Sequence, residues 1–152
     1  MKPEFGIAIR MVLLLLLITG IVYPLILVTI GQIAFPHQAN GSLVQIGGRT
    51  VGSELIGQDF KSPKFFHSRP TVESASGLDP HITPQTALSQ ISGISRATGI
   101  PEDELRKIVE LEIKRNRVAN LEVFAEEHAN VLRLNLELVK KYPQIYAEFL
   151  GR

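Results

Sequence analysis

The residues of this chain best suited to chemistry are Asp79 and His81, which stand two positions apart in the segment ASGLDPHITP. Pro80 and Pro84 stiffen the backbone around them. A carboxylate and an imidazole held in this way could bind a metal ion, act as a catalytic pair or stabilise a turn. These interpretations differ in what they require of the rest of the sequence.

A metal site or a catalytic triad needs further side chains, and the sequence offers them in no recognisable pattern. The chain has no cysteine, which excludes disulfides, thiolate metal sites and a cysteine nucleophile. It contains no His-x-x-x-His or Glu-x-x-His pair, and Ser76 is too close in sequence to Asp79 and His81 to predict triad geometry. The other histidines are well separated: His37, His67 and His128. We therefore predict no catalytic residue and no metal site.

As a turn, the segment gives both side chains a structural role. Asp79 caps backbone N–H groups, His81 donates to a nearby carbonyl oxygen, and the prolines fix the path into the next helix. A membrane-tethered extracytoplasmic hydrolase or ligand-binding domain that uses Asp79 and His81 stays open as the alternative.

Phosphate-bearing partners are not indicated by the motifs or the charge. The segment GSELIG (residues 52–57) has the two-glycine frame of a phosphate loop, but Gln58 and Asp59 follow it where Lys and Ser or Thr are required. The formal net charge is only +1, so no basic face for a nucleic-acid backbone is expected. We predict no nucleic-acid partner.

An uncharged apolar segment, MVLLLLLITGIVYPLILVTI, occupies residues 11–30. A helix of about 20 residues crosses the hydrocarbon core of a bilayer, whereas the apolar part of a signal peptide has about 7–15. We predict a short cytoplasmic N-terminus at residues 1–10, a transmembrane helix at 11–33 and a soluble domain at 34–152. Because Lys2 and Arg10 precede the span and only Arg49 follows it closely, the soluble domain is predicted to lie outside the cytoplasm.

A hairpin and a loop are predicted at the start of this domain. Leu43–Ile46 and Arg49–Val51 are β-prone and flank two glycines at 47–48, which suits a tight turn. The Asn-Gly-Ser sequence at 40–42 matches a glycosylation acceptor, but a plain turn is preferred. The proline-rich residues 59–84 are predicted to form an ordered loop.

Two helices should follow. Thr83 is a suitable N-cap before Pro84, and Gly99 is placed to end the first helix. Pro101 opens the second, with acidic residues in its first turn, Lys114 and Arg115 in its last turn, and its other charged side chains in solvent. The inward face of the second helix comprises Leu105, Ile108, Val109 and Ile113.

The C-terminal third alternates leucines with polar residues, so a strand and a helix compete there. We predict a short strand near 129–132, a helix that stops before Pro143, and one further helical turn in the tail. The resulting fold class is a single N-terminal transmembrane helix followed by one small α+β extracytoplasmic domain.

Four phrases together resemble the C subunit of Kdp-type potassium-transporting ATPases. They are FPHQANGSL, VGSELIGQDFKSPKFFHSRP, SGLDPHITPQTAL and NVLRLNLEL. Their order and their spacing from the membrane span match that family. The chain departs from the family in two places: a Gly-, Ser- and Asn-rich insertion between Val72 and Ser76 is nearly absent, and the tail after Leu138 is longer.

The resemblance implies a non-catalytic accessory subunit of an ATP-driven, high-affinity potassium uptake complex in the cell membrane. The implied partners are a potassium-channel-like subunit, a P-type pump subunit that hydrolyses ATP, and a small peptide subunit. No cofactor is expected on this chain, since ATP and potassium are handled by the complex.

Two roles are described for the family, and the resemblance leaves both open. One is assembly and stabilisation of the partner subunits. The other is a catalytic chaperone that raises the ATP affinity of the pump subunit, with Gln58 as the candidate contact. An outward-facing domain without a phosphate loop favours assembly. The residues carried over from the family motifs as structural or partner-binding are Asn40, Gly41, Ser42, Gly57, Gln58, Phe60, Arg69, Pro70, Ser76, Gly77, Asp79, Pro80 and His81.

Overall fold

The computed structural model describes residues 3–46, 48–68, 78–119 and 126–150. Four motif residues therefore lie outside the described residues: Arg69, Pro70, Ser76 and Gly77. The chain divides into two units, Met1–Ser42 and Leu43–Arg152.

The first unit is a long apolar helix followed by a short one. Helix α1 (Pro3–Leu17), a π-helical turn (Ile18–Val22) and helix α2 (Tyr23–Ala34) run continuously, and α3 (Pro36–Ala39) follows. Glu4–Ala34 is long and apolar enough to cross a membrane, and none of its most apolar window is buried within the protein. The predicted span at residues 11–33 falls inside this helix.

The wide π turn has a local cause. Pro24 has no N–H to donate to the preceding turn of the helix, and such a gap is commonly accommodated by a local change of helical pitch. The hydroxyl of Thr19 donates to the Leu15 carbonyl oxygen at 2.7 Å, so this polar side chain is satisfied within its own helix. The helix can therefore pass through an apolar medium without exposing that hydroxyl.

The second unit begins with the predicted hairpin. Strands β1 (Leu43–Ile46) and β2 (Arg49–Ser53) pair antiparallel, with an irregularity between Val44 and Gln45. Gly48 has φ +79°, a conformation that glycine adopts without a steric cost. Strand β2 is two residues longer than predicted, and Gly47 lies outside the described residues.

Helix α4 (Pro84–Thr98) has both predicted ends. The Thr86 N–H donates to the Thr83 hydroxyl at 3.2 Å, and Gly99 ends the helix with φ +77°. Helix α5 (Glu102–Ala119) carries the predicted acidic first turn, but it runs longer than predicted. Lys114 and Arg115 therefore precede the last turn, where Arg117 stands instead. No proline or glycine interrupts this stretch, so nothing local ends it earlier.

The C-terminal part resolves the competition between strand and helix. Strand β3 (His81–Ile82) pairs antiparallel with β4 (Ala129–Asn130), and helix α6 (Val131–Lys141) starts at once. The strand is shorter than predicted because Asn130 is already the N-cap of α6, accepting from the Arg133 N–H at 3.2 Å. Helix α6 ends before Pro143, and α7 (Ala147–Leu150) is the predicted last turn.

One hydrophobic core joins these elements. Its members come from the loop after the hairpin, from β3 and β4, from α4, α5 and the link between them, from α6 and from the tail: Phe65, Phe66, Ile82, Ala87, Ile91, Ile94, Ile100, Leu105, Ile108, Val109, Ala129, Val131, Leu134, Leu138, Val139 and Tyr146. Ile113, the last predicted inward residue of α5, packs against this core while partly exposed. The domain is thus a small α+β fold in which short strands hold helices against one core.

Candidate functional site

Three of the four family phrases meet at one place, which we call the phrase junction: Glu54–Gly57, Leu78–His81 and Asn130–Arg133. Backbone and amide groups join them. The Gly57 N–H donates to the Leu78 carbonyl oxygen at 2.8 Å, and the Val131 N–H donates to the Pro80 carbonyl oxygen at 2.9 Å. The Asn130 side-chain amide donates to the Glu54 carbonyl oxygen at 2.8 Å. Residues far apart in sequence therefore form one connected cluster.

Gly57 is required at the junction by a close backbone approach. A Cβ atom at this position would lie 2.9 Å from the Asp79 carbonyl oxygen and 3.2 Å from the Leu78 carbonyl carbon. Both neighbours are backbone atoms, which cannot move aside by a change of rotamer. The absence of a side chain at Gly57 is what lets the GSELIG and GLDPH segments touch.

Asp79 stabilises the turn as predicted, but His81 does not donate to a carbonyl oxygen. The His81 backbone N–H donates to Asp79 Oδ1 at 3.0 Å. The His81 ring instead places Nδ1 3.4 Å from the same carboxylate oxygen and packs edge-on against the His128 ring, with centroids 4.5 Å apart. Strand pairing explains the difference, because β3 and β4 bring residues near 128 beside His81. Pro80, between them, is buried.

A network of charged side chains around the buried Glu112 underlies the junction, and the sequence did not reveal it. Glu112 is 2% exposed although the charged residues of α5 were predicted to lie in solvent. Its carboxylate accepts from Asn116 at 3.2 Å and from Arg115 at 3.3 Å. The Arg133 guanidinium lies 3.9 Å from Glu112 and donates to Glu54 at 2.6 Å.

The electrostatics of this network follow from burial and pairing. Burial raises the pKa of Glu112, although Arg133 and Arg115 oppose the shift. The hydrogen bond to Glu54 raises the pKa of Arg133, so that guanidinium stays charged. The signal available in the sequence was position: Glu112 and Asn116 continue the helix face of Ile108 at intervals of four residues.

Gln58, the candidate ATP contact, is engaged within the domain. Its side-chain amide donates to the Ile56 carbonyl oxygen at 3.1 Å. A Cβ at Gly52 would lie 3.0 Å from the Gln58 side chain, so this side chain lies directly over the hairpin backbone. The Phe60 ring packs at a tilt against the ring of Phe65, a core residue, with centroids 5.3 Å apart. Both motif residues therefore contribute to packing.

The first motif phrase lies in the first unit except for its last residue, Leu43. Asn40 donates from its side chain to the Pro36 carbonyl oxygen at 2.7 Å and to Gln32 at 3.1 Å. Gly41 and Ser42 both have positive φ, at +82° and +48°. The predicted plain turn at residues 40–42 is confirmed, and the Asn40 amide is part of it.

Two side-chain amides hold the FFH part of the second phrase in the second unit. Asn135 accepts from the Phe66 N–H at 2.8 Å and donates to the Phe66 carbonyl oxygen at 2.9 Å. Gln90 makes the same pair of bonds to His67, at 2.8 and 3.1 Å. Each amide thus substitutes for a neighbouring strand.

The arrangement is suited to holding a shape. Within the described ranges, no buried side-chain nitrogen or oxygen lacks a hydrogen-bond partner, and no three His, Asp or Glu side chains come together in a way that could hold a metal ion. Asp79 and His81 are brought together with His128, while the backbone of His67 is bound by Gln90. Most polar groups of the phrase junction form hydrogen bonds with other groups of the same junction.

Acidification should weaken the domain through His81. Burial and the neighbouring His128 ring lower the pKa of His81 from 6.5, with Asp79 opposing. The unfolded chain then binds more protons than the folded one below pH 6.5, so stability is present above that pH and is lost as the pH falls. The limit for one proton is about 1.4 kcal/mol per pH unit, and solvent screening makes the loss smaller because the His81 side chain is 42% exposed. Unfolding of the wild type and His81→Phe, measured from pH 7.5 to 5, should show the shallower slope in the variant.

Glu112→Gln is the contrasting variant in this measurement. The pKa of Glu112 is raised above its ordinary value of 4.5, so ionisation of this group lowers the stability of the folded state as the pH rises above 4.5. This effect of pH on stability is opposite to that of His81. The variant should therefore lose stability more steeply than the wild type on acidification. Parallel pH profiles for all three proteins would contradict the assignment.

Comparison with known proteins gives a family match over most of the chain. The family model described as "K+-transporting ATPase, c chain" matches residues 5–73 and 71–140. The two matched segments overlap at residues 71–73, at the start of the stretch between Val72 and Ser76 where the family insertion is predicted to be nearly absent.

Curated relatives match along nearly their whole length. A potassium-transporting ATPase KdpC subunit from Caldanaerobacter subterraneus subsp. tengcongensis is 30% identical over 190 aligned positions, covering 93% of this chain and 97% of the relative. The subunit of the same name from Rhodopseudomonas palustris is 31% identical, covering 95% and 100%. The one from Sorangium cellulosum is 35% identical, covering 84% and 94%. The first alignment is longer than the 152 residues of this chain, so that relative carries segments that this chain lacks.

Proposed function

This chain belongs to the family of the K+-transporting ATPase c chain, and we propose that it acts in such a complex as a non-catalytic accessory subunit that assembles and stabilises its partners. The observation that carries the proposal is the phrase junction. The family phrases meet there through bonds to one another, such as Gly57 to Leu78 and Asn130 to Glu54. A rigid surface for binding is the function that such a cluster supports.

The catalytic work of the complex is proposed to lie in a partner subunit. Gln58 is bonded to the Ile56 carbonyl oxygen, and GSELIG lacks the lysine of a phosphate loop. Both observations favour assembly over a direct contact with ATP. The partners are proposed to be a channel-like subunit, a P-type pump subunit and a small peptide subunit.

The long apolar helix is proposed to anchor the subunit among partner helices. Its surface is apolar and unburied within this chain, as expected of a helix that meets lipid or other helices. A Cβ at Gly20 would meet nothing within 4 Å, so this position is open to close approach by another helix, with Thr19 beside it. Basic residues are more frequent before the apolar helix, at Lys2 and Arg10, than shortly after it, and this asymmetry supports a cytoplasmic N-terminus and a soluble domain outside the cytoplasm.

Co-purification tests the function. The full chain, tagged at its C-terminus and extracted with mild detergent, should bring down the pump and channel-like subunits and should hydrolyse no ATP on its own. Gly57→Ala should reduce the recovered partners, because it separates the segments of the phrase junction. A control is Gly93→Ala, which adds a methyl group in open space. Isolation of the chain as a stable, partner-free protein from cells that contain the other subunits would count against the proposal.

A labelling arm of the same experiment tests the orientation. The chain has no cysteine, so Glu110→Cys introduces one exposed thiol on α5. A membrane-impermeant maleimide should label it in intact spheroplasts. Labelling only after the cells are opened would show that the proposed orientation is wrong, and would leave the assembly role to be decided by co-purification.

A further inference from the structure

The apolar helix satisfies its threonine hydroxyls but not the hydroxyl of Tyr23. Thr19 and Thr29 donate to the carbonyl oxygens four residues before them, at 2.7 and 2.8 Å. The Tyr23 side chain is 57% exposed, and among the described residues none forms a hydrogen bond with its hydroxyl. A tyrosine hydroxyl that is removed from water normally has a hydrogen-bond partner. For Tyr23 that partner has to come from another molecule.

The depth of Tyr23 excludes solvent as the partner. Residues 11–34 contain no Lys, Arg, Asp or Glu, and a helix of about 20 residues crosses the hydrocarbon core of a bilayer. Wherever that core is placed within residues 11–34, Tyr23 is about seven or more residues, or roughly 10 Å, from each end. Tyrosines that anchor a helix lie at the membrane interface instead. Neither water nor a lipid headgroup is available at the depth of Tyr23.

The π turn leaves a backbone acceptor without a bond at the same depth. The Tyr23 N–H donates to the Ile18 carbonyl oxygen, one residue further back than in an α-helix, where it would donate to Thr19. The next donor along the chain would be residue 24, and proline has no N–H. The Thr19 carbonyl oxygen therefore accepts no bond from the backbone of its own helix.

Gly20 keeps the surface beside these two groups open. A Cβ at this position would meet nothing within 4 Å, so no described side chain covers the backbone there. Thr19 and Tyr23 are about one helical turn apart. A donor, an acceptor and a bare stretch of backbone thus lie within residues 19–23, which we call the midplane site.

We propose that the midplane site binds one side-chain amide, of Asn or Gln, on a transmembrane helix of a partner subunit. The amide oxygen accepts from the Tyr23 hydroxyl, and the amide nitrogen donates to the Thr19 carbonyl oxygen. An amide supplies both groups without a charge, which would be costly at this depth. The inference rests on the proposed function, because it takes the helix to be anchored among partner helices.

Tyr23→Phe tests the donor, because it removes the hydroxyl and keeps the ring. The tagged full-length variant is expressed together with the untagged wild type and a limiting amount of the pump and channel-like subunits. Its share of the partners recovered in mild detergent should fall about threefold to tenfold, the effect of one interhelical hydrogen bond in a membrane. Thr29→Val is the matched control: it removes a hydroxyl that is bonded within the helix, and the share should stay unchanged.

Pro24→Ala tests the acceptor without removing any polar side chain. Alanine supplies the missing N–H, so the Thr19 carbonyl oxygen can take its ordinary helical bond. We expect a similar loss of partners, although the substitution favours the helix. If one amide bridges both groups, the double variant should lose less than the product of the two single losses. Losses that multiply would overturn the single bridging amide.

Photocrosslinking identifies the occupant while Tyr23 stays in place. The photoreactive residue p-benzoylphenylalanine at Leu27, one turn from Tyr23 on the same side, should crosslink a partner helix that contains Asn or Gln. At Leu25, on the opposite side, it should not. The inference is overturned if Leu27 crosslinks only lipid or a second copy of this chain, or if Tyr23→Phe recovers as much partner as the wild type. In these cases the assembly role stands as long as the wild type recovers the partners. Failure of the wild type to recover them overturns both.

Discussion

Gly57→Ala is expected to destabilise the second unit by about 1–3 kcal/mol, the cost of forcing an extra methyl group into a filled site. The new Cβ would stand 2.9 Å from the Asp79 carbonyl oxygen. Relief requires movement of one backbone segment, which lengthens the hydrogen bond from the Gly57 N–H to the Leu78 carbonyl oxygen. A melting curve by far-UV circular dichroism should shift down by several degrees.

The matched control is Gly93→Ala in α4. A Cβ there meets nothing within 4 Å, and alanine is favoured over glycine inside a helix by about 1 kcal/mol. The two substitutions make the same chemical change and should move the melting temperature in opposite directions. Equal shifts would mean that the close approach at Gly57 does not control stability.

Local chemistry made several elements predictable. Thr83, Pro84 and Gly99 define α4 through a side-chain cap, a residue pre-set for the first turn and a left-handed end, and all three act within a few residues. The apolar composition of residues 11–30 likewise predicts a helix that is long enough to cross a membrane. Such features need no knowledge of the rest of the fold.

The features that escaped prediction depend on residues that are distant in sequence. Glu112 was assigned to solvent because a carboxylate is rarely buried alone, and its partner Arg133 belongs to another helix. The contact between His81 and His128 exists because two short strands pair. Hydrophobic periodicity carries no information about either contact.

Helix α6 shows why a pattern can be ambiguous for a physical reason. Its leucines at 132, 134, 136 and 138 alternate as in a strand. In the structure they lie at the two edges of one broad buried face of a helix, with Leu134 and Leu138 in the hydrophobic core and Leu132 and Leu136 also buried. A buried face this wide takes in leucines at alternate positions, so the sequence resembles a strand although the segment is a helix.

Asn135→Ala is expected to have the larger effect among the polar substitutions, at about 2–6 kcal/mol. Phe66 is fully buried, and the Asn135 amide satisfies both its N–H and its carbonyl oxygen. Removal of that amide leaves two buried backbone groups unpaired, and each costs about 1–3 kcal/mol. Hydrogen exchange at the Phe66 amide should accelerate together with the loss of global stability.

Gln90→Ala provides the comparison, because Gln90 makes the same two bonds to the backbone of His67. These bonds are only partly buried, so water can replace the lost amide and the expected cost is about 1 kcal/mol or less. Both variants lose the same kind of amide-to-backbone hydrogen bonds, so the difference between their losses of stability measures the effect of burying those bonds. If both variants lost the same stability, the cost would come from the bonds themselves, and the FFH segment would be held equally at its two ends. If Asn135→Ala alone unfolds the domain, the buried clamp on Phe66 fixes the second family phrase against α6, the helix that also supplies Arg133 to the phrase junction.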